Sequence, residues 1–176
     1  MLRTYAFTSR WLVPAPVAEC WEAVERGVRG GALPWWPAVR IEPRHRPLAL
    51  GDIVRLDVRS PWGYRLRVAL TVTDLEPCER LAADSAGDLS GRGSLQLAAA
   101  GEPGRPSTIV TWVWEVTPVR RWMRLTSPVL RPVFTAAHAR VMRRGERGLI
   151  AALAAGSDVR NADNHDDPGI STDRAG

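Results

Sequence analysis

Apolar and polar residues alternate along several short stretches of the chain, and this period of two predicts β-strands. In the first stretch, "TYAFTSRWLV", the residues Tyr5, Phe7, Trp11 and Val13 fall on one face. The clearest alternation is in "YRLRVALTVTDLEP", residues 64–77, where apolar side chains occupy one face and arginine and threonine much of the other. Five further strands are predicted at residues 38–46, 53–60, 79–87, 88–100 and 108–118.

Two other segments have apolar residues three or four positions apart, the period of an α-helix. The first covers residues 16–28, and Pro16 suits its first turn because the missing N–H costs nothing there. The second runs to about Ala155, and Ser127 and Pro128 are typical of a cap and a first turn. Its apolar stripe carries Phe134, His138, Val141, Met142, Leu149 and Leu153.

The order of these elements predicts an α+β fold. A strand and a helix come first, "ALPWWP" forms a turn or a short second helix, and about six strands and a long helix follow. A curved sheet needs its concave face covered, and the C-terminal helix is the large apolar element left to do so. We therefore predict one domain over residues 1–155. Residues 156–176 have few hydrophobic residues and many turn formers, which predicts a disordered tail.

The charge of the chain is positive and unevenly distributed. The formal net charge is +5, and all 24 basic residues are arginine. Residues 156–176 contain five aspartates and two arginines, a net charge of −3, so residues 1–155 carry +8. A basic domain can bind nucleic acid or another anion, but a solvated arginine-rich surface gives the same composition. Because no recognition motif accompanies the charge, we expect no nucleic-acid partner.

Several classes of protein are disfavoured by what the sequence lacks. No apolar run approaches the roughly 20 residues that span a bilayer, and the first residues lack a signal-peptide pattern, so we expect a cytoplasmic protein. Cys20 and Cys78 match no metal spacing and are expected to be reduced and unlinked. The chain has no phosphate loop, G-x-S-x-G elbow, H-E-x-x-H or C-x-x-C pair. We expect no metal and no cofactor, and the sequence predicts no particular oligomeric state.

Several segments together resemble the SRPBCC superfamily, whose helix-grip fold includes START domains, the major birch pollen allergen and polyketide cyclase/dehydrase-like proteins. "WLVPAPVAECWEAV" is similar to the opening strand and helix, and "LPWWP" with "LGDIVRL" is similar to the next segment. "SAGDLSGRGSLQL", "TIVTWVWEV" and "RPVFTAAHARVMRRGERGL" resemble the later strands and closing helix of one bacterial branch. The resemblance covers roughly residues 3–155 and contains no sharp catalytic motif, so it bears on fold more than on function.

The resemblance implies a curved antiparallel sheet of about six to seven strands wrapped around a long C-terminal helix. One or two short helices follow the first strand in this arrangement. An elongated cavity lies between sheet and helix, and it commonly holds an apolar or aromatic small molecule. The elements predicted from the periods above agree with this arrangement, although they were derived without it.

His138 is the ionisable residue on the apolar stripe of the predicted C-terminal helix. Phe134, His138 and Met142 are four residues apart, so they stack on adjacent turns. In the implied fold this stripe faces the cavity, where an imidazole would be a polar anchor or a general acid or base. Alternatively, His138 is a structural residue that hydrogen-bonds to a strand. The candidates for an orienting carboxylate are Asp57, Asp88 and Glu115.

Tryptophan is abundant, with eight residues in the chain. Such large, flat side chains either wall a cavity and stack on aromatic ligands, or fill the core beneath a curved sheet. Trp112 and Trp114 share a strand face, and with Tyr64 they line the cavity if that face is concave. Trp36, beside a proline-rich turn, is expected at the rim of the entrance.

Gly91 and Gly93 are two positions apart and remove side chains from one strand face. Because glycine has no side chain, these positions either leave extra volume for a ligand or permit a bulge or bend that lets the sheet curl. We favour the bend, because glycines inside strands commonly mark such points.

The expected function is the binding of a small hydrophobic or aromatic molecule between the sheet and the C-terminal helix. The enzyme hypothesis is a polyketide cyclase/dehydratase in which His138 moves a proton. The alternatives are a non-catalytic carrier and a protein-interaction module on the same fold. The predicted ligand-binding residues are Trp36, Tyr64, Trp112, Trp114, Phe134, His138 and Met142.

Overall fold

The computed structural model describes residues 4–61, 63–119 and 121–163, and in the last helix the side chains of residues 132–156. Seven strands form one sheet in the order β1-β7-β6-β5-β4-β3-β2, and every neighbouring pair is antiparallel. The elements are β1 (Tyr5–Val13), α1 (Val17–Gly30), β2 (Val39–Ile41), β3 (Ile53–Arg59), β4 (Arg65–Glu76), β5 (Arg80–Gly87), β6 (Leu89–Glu102), β7 (Arg105–Pro118) and α2 (Arg121–Asp163).

This architecture confirms the predicted α+β helix-grip fold, with two differences in the helices. "ALPWWP" is a turn, so α1 is the one helix between β1 and β2 in the described chain. Helix α2 begins at Arg121, before the predicted start at Ser127, so Pro128 lies inside the helix and removes one backbone hydrogen bond without ending it. Neither described helix is long and apolar enough to cross a membrane.

The predicted tail falls mainly outside what the structure describes. Helix α2 continues past Ala155 to Asp163, eight residues into the segment predicted as tail. Residues 164–176 lie outside the described residues. The division into a domain at 1–155 and a disordered tail at 156–176 therefore stays a prediction.

Two local features mark the central strands of the sheet, a bulge and a glycine at a close approach of two strands. The register of β4 against β5 shifts between Val72 and Asp74, and such a bulge increases the local twist. On β6, Gly91 has φ +150°, and a Cβ atom there would lie 2.0 Å from the carbonyl oxygen of Glu115 on β7. Only glycine fits this close approach of β6 to β7. The bend expected at Gly91 stays a prediction.

Helix α1 closes one end of the sheet. Its C-terminal cap is Gly31, which has the left-handed φ of +75° that ends many helices. The corner between β1 and α1 is held by Thr108 of β7, whose buried hydroxyl donates a hydrogen bond to the carbonyl oxygen of Ala15 over 2.7 Å. The apolar face of α1 then packs against α2 and the sheet, with Cys20 and Trp21 buried.

Helix α2 approaches the turn after α1 very closely, and two glycines make this possible. A Cβ atom at Gly145 would lie 2.7 Å from the indole of Trp36, and one at Gly148 would lie 1.8 Å from the carbonyl oxygen of Trp35. The indole N–H of Trp36 also donates to the carbonyl oxygen of Val141, 3.0 Å away. The turn and the helix are therefore fixed to each other, and α2 is held at a defined height above the sheet.

Candidate functional site

A cavity of about 240 Å³ lies between the concave face of the sheet and α2. A single buried water needs only about 10–15 Å³ of such space, so the cavity has room for a molecule much larger than water. The long walls are formed by the sheet and by α2, while α1 and the turn after it close one end. This arrangement is the one that the family resemblance implied, with a cavity between the sheet and the C-terminal helix.

The wall is formed by the strand faces that the alternating pattern placed together. Strands β3, β4 and β7 contribute Val54, Leu56, Val58, Leu66, Val68, Leu70, Val72, Trp112, Trp114 and Val116. Helix α2 contributes Phe134, Ala137, His138, Val141 and Met142. Among the described residues, no Asp, Glu or Arg side chain lies in the wall, although the chain contains 24 arginines. The surface offered to a ligand is therefore almost wholly apolar.

All seven side chains predicted to bind a ligand lie in this wall: Trp36, Tyr64, Trp112, Trp114, Phe134, His138 and Met142. Their part in binding stays a prediction, and the expected position of Trp36 at the entrance rim is wrong. Trp36 is buried, with 6% of its surface exposed. Its ring packs edge-on against Trp11 and Trp112, at centroid distances of 5.4 Å in each case. The hydrogen bond to Val141 holds it there, so Trp36 is part of a rigid inner wall.

The part of the cavity away from the tryptophans is lined by a smaller cluster of aromatic residues. Phe134 of α2 contacts Tyr5 of β1 and Tyr64, with both pairs of rings edge to face at 6.3 and 6.1 Å. Phe7 lies stacked beside Tyr5 at 5.8 Å. These edge-to-face and stacked arrangements are the favourable geometries for aromatic pairs. Phe134 therefore joins α2 to the first strand, and the phenol of Tyr64 is brought to the cavity wall.

His138 lies between these two aromatic regions, and β1 supplies its neighbours. The imidazole ring stacks on Phe7 with 4.4 Å between centroids. Its Nε2 atom lies 3.4 Å from the hydroxyl oxygen of Ser9 in a long hydrogen bond. His138 thus has both features that the sequence left as alternatives, since it faces the cavity and also contacts a strand residue.

Burial lowers the pKa of His138 to about 4, because the charged imidazolium would lose its hydration in the apolar cavity. The three carboxylates suggested as its partners lie elsewhere, so that suggestion is wrong. Asp57 and Glu115 occupy the strand positions between wall residues and so face the opposite side of the sheet. Asp88 accepts a hydrogen bond from the backbone N–H of Arg67, 2.8 Å away. The imidazole is therefore neutral at pH 7.

This lowered pKa of His138 predicts a loss of stability in mild acid. The unfolded chain takes up a proton at His138 near pH ~6.5, whereas the folded chain does so only near pH 4. Since the unfolded state binds more protons in this window, the free energy of unfolding should fall as the pH drops from about 7 to about 4. In His138→Gln the decrease should be smaller. Chemical denaturation of both proteins across this range measures the difference, and an equal decrease would contradict the assignment.

The loop before β3 supplies a further part of the wall through Leu48. Its conformation is held by the buried carboxylate of Asp52, which forms ion pairs with Arg44 and Arg46. The same carboxylate accepts a hydrogen bond from the backbone N–H of Ala49 over 2.8 Å. A buried, multiply paired carboxylate of this kind fixes a loop, and it thereby fixes the position of Leu48.

Sequence reasoning missed Ser9 and Trp35 as parts of the site. The period of two in β1 had already placed Ser9 on the same face as Phe7 and Trp11, so its inward position was predictable. Trp35 lies in the turn, where no period exists, and its place in the wall depends on the close approach of α2. In the described part of the chain, no three His, Cys, Asp or Glu side chains form a group that could hold a metal ion.

Comparison with known proteins agrees with this geometry at the level of the fold. Neither a protein-family model nor a curated protein sequence matches the chain. The solved structure of the Zhui aromatase/cyclase from Streptomyces sp. R1128 is similar, with 18% identity, a TM-score of 0.60, and coverage of 85% of this chain and 93% of that one. A START superfamily protein from Mycobacterium smegmatis has 17% identity and a TM-score of 0.60, covering 85% and 97% of the two chains.

A third similar structure is that of a protein from Thermus thermophilus, with 13% identity, a TM-score of 0.59, and coverage of 84% of this chain and 99% of that one. At such identities the likeness establishes the fold alone. The chain therefore has the helix-grip fold of START-like and aromatase/cyclase-like proteins, as the sequence resemblance implied.

Proposed function

We propose that this chain binds a small hydrophobic or aromatic molecule in the cavity between the sheet and α2. The observation that carries the proposal is the apolar wall, which would remain unfavourably hydrated without a ligand. Removal of apolar surface from water contributes about 25 cal/mol per Å², so enclosure alone supplies affinity. The similarity to a START superfamily protein and to an aromatase/cyclase supports the same reading.

The polar groups of the wall would set the orientation of the ligand. Tyr64 and His138 lie in the wall on different elements, the first just before β4 and the second on α2. A phenol donates or accepts a hydrogen bond, and a neutral imidazole does either according to its tautomer. Together they suit a ligand with one uncharged polar end, such as a carbonyl or a hydroxyl, and an apolar body.

Binding is the function that the geometry supports best, and a cyclase/dehydratase activity is the second candidate. The second is favoured by His138 in the wall of a fold shared with an aromatase/cyclase. However, a general base works best with a pKa near the operating pH, and that of His138 is about 4. A His138→Ala variant that binds but no longer converts its ligand would establish the enzyme. Binding without any conversion by the unsubstituted protein would favour a carrier.

A pair of matched substitutions on β5 tests the proposed cavity. Ala83 is buried and lies in the wall, whereas Ala86 is exposed on the opposite face of the same strand. Ala83→Leu should fill part of the cavity and weaken binding of the uncharged dye N-phenyl-1-naphthylamine about tenfold or more, as steric exclusion from an apolar pocket does. Ala86→Leu should leave the affinity within about twofold, because such surface changes have small effects.

The measurement is a fluorescence titration of each purified protein with the dye, with thermal unfolding recorded to show that both variants fold. Equal loss of affinity in the two variants would indicate a surface site. An absence of dye binding to the unsubstituted protein would contradict the proposed function itself.

A further inference from the structure

We infer that Gly93 and Trp114 together set the size of the ligand that the cavity accepts. This inference rests on the proposed function, because it concerns the same cavity. Of the two roles that the sequence suggested for Gly93, it supports the additional ligand volume rather than the bend, and it assigns that volume to the position of a neighbouring side chain. The glycine provides the place that the indole of Trp114 occupies, and the position of that indole defines how far the wall projects.

The strand register brings the relevant residues into one row across the concave face. Ala83 of β5 pairs with Gly93 of β6, Gly93 pairs with Trp114 of β7, and Trp114 pairs with Phe7 of β1. Ala83, Trp114 and Phe7 all lie in the cavity wall. The row therefore has two small residues at its centre, with the large indole beside them.

The indole of Trp114 occupies the space that a side chain at position 93 would need. A Cβ atom built on Gly93 would lie 2.9, 3.0 and 3.1 Å from three carbons of the six-membered ring of Trp114. Distances this short show that the ring lies directly over the glycine. The indole is thus held low against the sheet, where it leaves more of the cavity open.

The neighbouring row provides an internal comparison. There Leu81 of β5 pairs with Leu95 of β6, and Leu95 pairs with Trp112 of β7. Leu95 has a full side chain that is almost completely buried, with 2% exposed. Two tryptophans on one strand face therefore have opposite surroundings, and only Trp114 has a glycine beside it on β6. The difference makes Trp114 the tryptophan whose position a single methyl group can change.

An added methyl group at position 93 would move the indole in one direction. The sheet backbone lies beneath the ring, and on the far side Phe7 is stacked on His138. Because both neighbours are packed, the ring of Trp114 moves into the cavity. The atoms that must shift belong to the end of a side chain, so the fold can accommodate the change. The volume left for a ligand therefore decreases.

The test measures the affinities of naphthalene and pyrene, two uncharged aromatic molecules of different size, by fluorescence titration. Gly93→Ala should weaken pyrene binding relative to naphthalene by about tenfold or more, the discrimination typical of one methylene in an apolar pocket. Trp114→Leu should change the ratio of pyrene to naphthalene affinity in the opposite direction. In a double variant that already carries Trp114→Leu, the addition of Gly93→Ala should leave this ratio unchanged. Gly30→Ala is the control, since a Cβ atom there meets nothing within 4 Å.

The outcomes separate this inference from the proposed function. If the unsubstituted protein binds neither molecule, the proposed function fails and the inference fails with it. If it binds them but Gly93→Ala and Trp114→Leu leave the ratio as it is in Gly30→Ala, the inference alone is overturned. Should Gly93→Ala fail to fold, Trp114→Leu decides by itself, because removal of the indole must favour the larger molecule.

Discussion

Replacement of Trp11 by alanine should lower the free energy of unfolding by about 3–5 kcal/mol, the usual cost of removing a large aromatic side chain from a core. Trp11 is 2% exposed and is among the largest fully buried side chains of the described residues. Its ring contacts Trp36 at 5.4 Å and Trp112 at 5.3 Å, so it joins β1 to the turn and to β7. The substitution removes the support of two wall residues together.

The neighbouring residue is the control for this substitution. Leu12 lies on the other face of β1 and is 61% exposed, so Leu12→Ala should change stability by no more than about 0.5 kcal/mol. Urea denaturation of the two variants measures the contrast. If Trp11→Ala cost less than about 1 kcal/mol, the tryptophan cluster would not be the centre of this core.

Gly148→Ala should be the second large effect. A Cβ atom at this position would lie 1.8 Å from the carbonyl oxygen of Trp35, which is backbone and cannot rotate away. Helix α2 must therefore move from the turn, and we expect a loss of about 1–3 kcal/mol or more, as in other overpacked sites. The displacement also strains the hydrogen bond between Trp36 and Val141, so dye binding should weaken in parallel.

Gly156→Ala on the same helix is the matched control, because a Cβ atom there meets nothing within 4 Å. Alanine is the better helix former, so this variant should gain about 0.5–1 kcal/mol. Thermal and urea unfolding should thus shift in opposite directions for the two glycines. A stabilising Gly148→Ala would show that α2 does not contact the turn as described.

Much of the fold could be predicted from the sequence because one face of the sheet is in contact with water and the other faces the interior of the protein. The period of two in β3, β4 and β7 predicted which side chains share a strand face. The structure shows that these shared faces form the wall of the cavity. The same alternation placed Asp57 and Glu115 between wall residues and thus outside the cavity. Applied strictly, it would have removed both from the candidates for a partner of His138.

What the sequence did not predict depends on how separate elements meet. The contact of Ser9 with His138 requires the position of α2 along β1, which no local pattern encodes. Gly145 and Gly148 interrupt a helical pattern without revealing that the turn carrying Trp35 and Trp36 fills the space above them. The position of the Trp114 indole over Gly93 likewise depends on the register between β6 and β7.

A crystal structure of the protein with N-phenyl-1-naphthylamine bound at saturation would show whether the cavity between the sheet and α2 holds a ligand. We expect density for one dye molecule between the concave face and α2, with its amine near Tyr64 or His138 and its rings against Trp112 and Trp114. Dye bound only on the outer surface of the protein, with side chains filling the space beneath α2, would contradict this expectation.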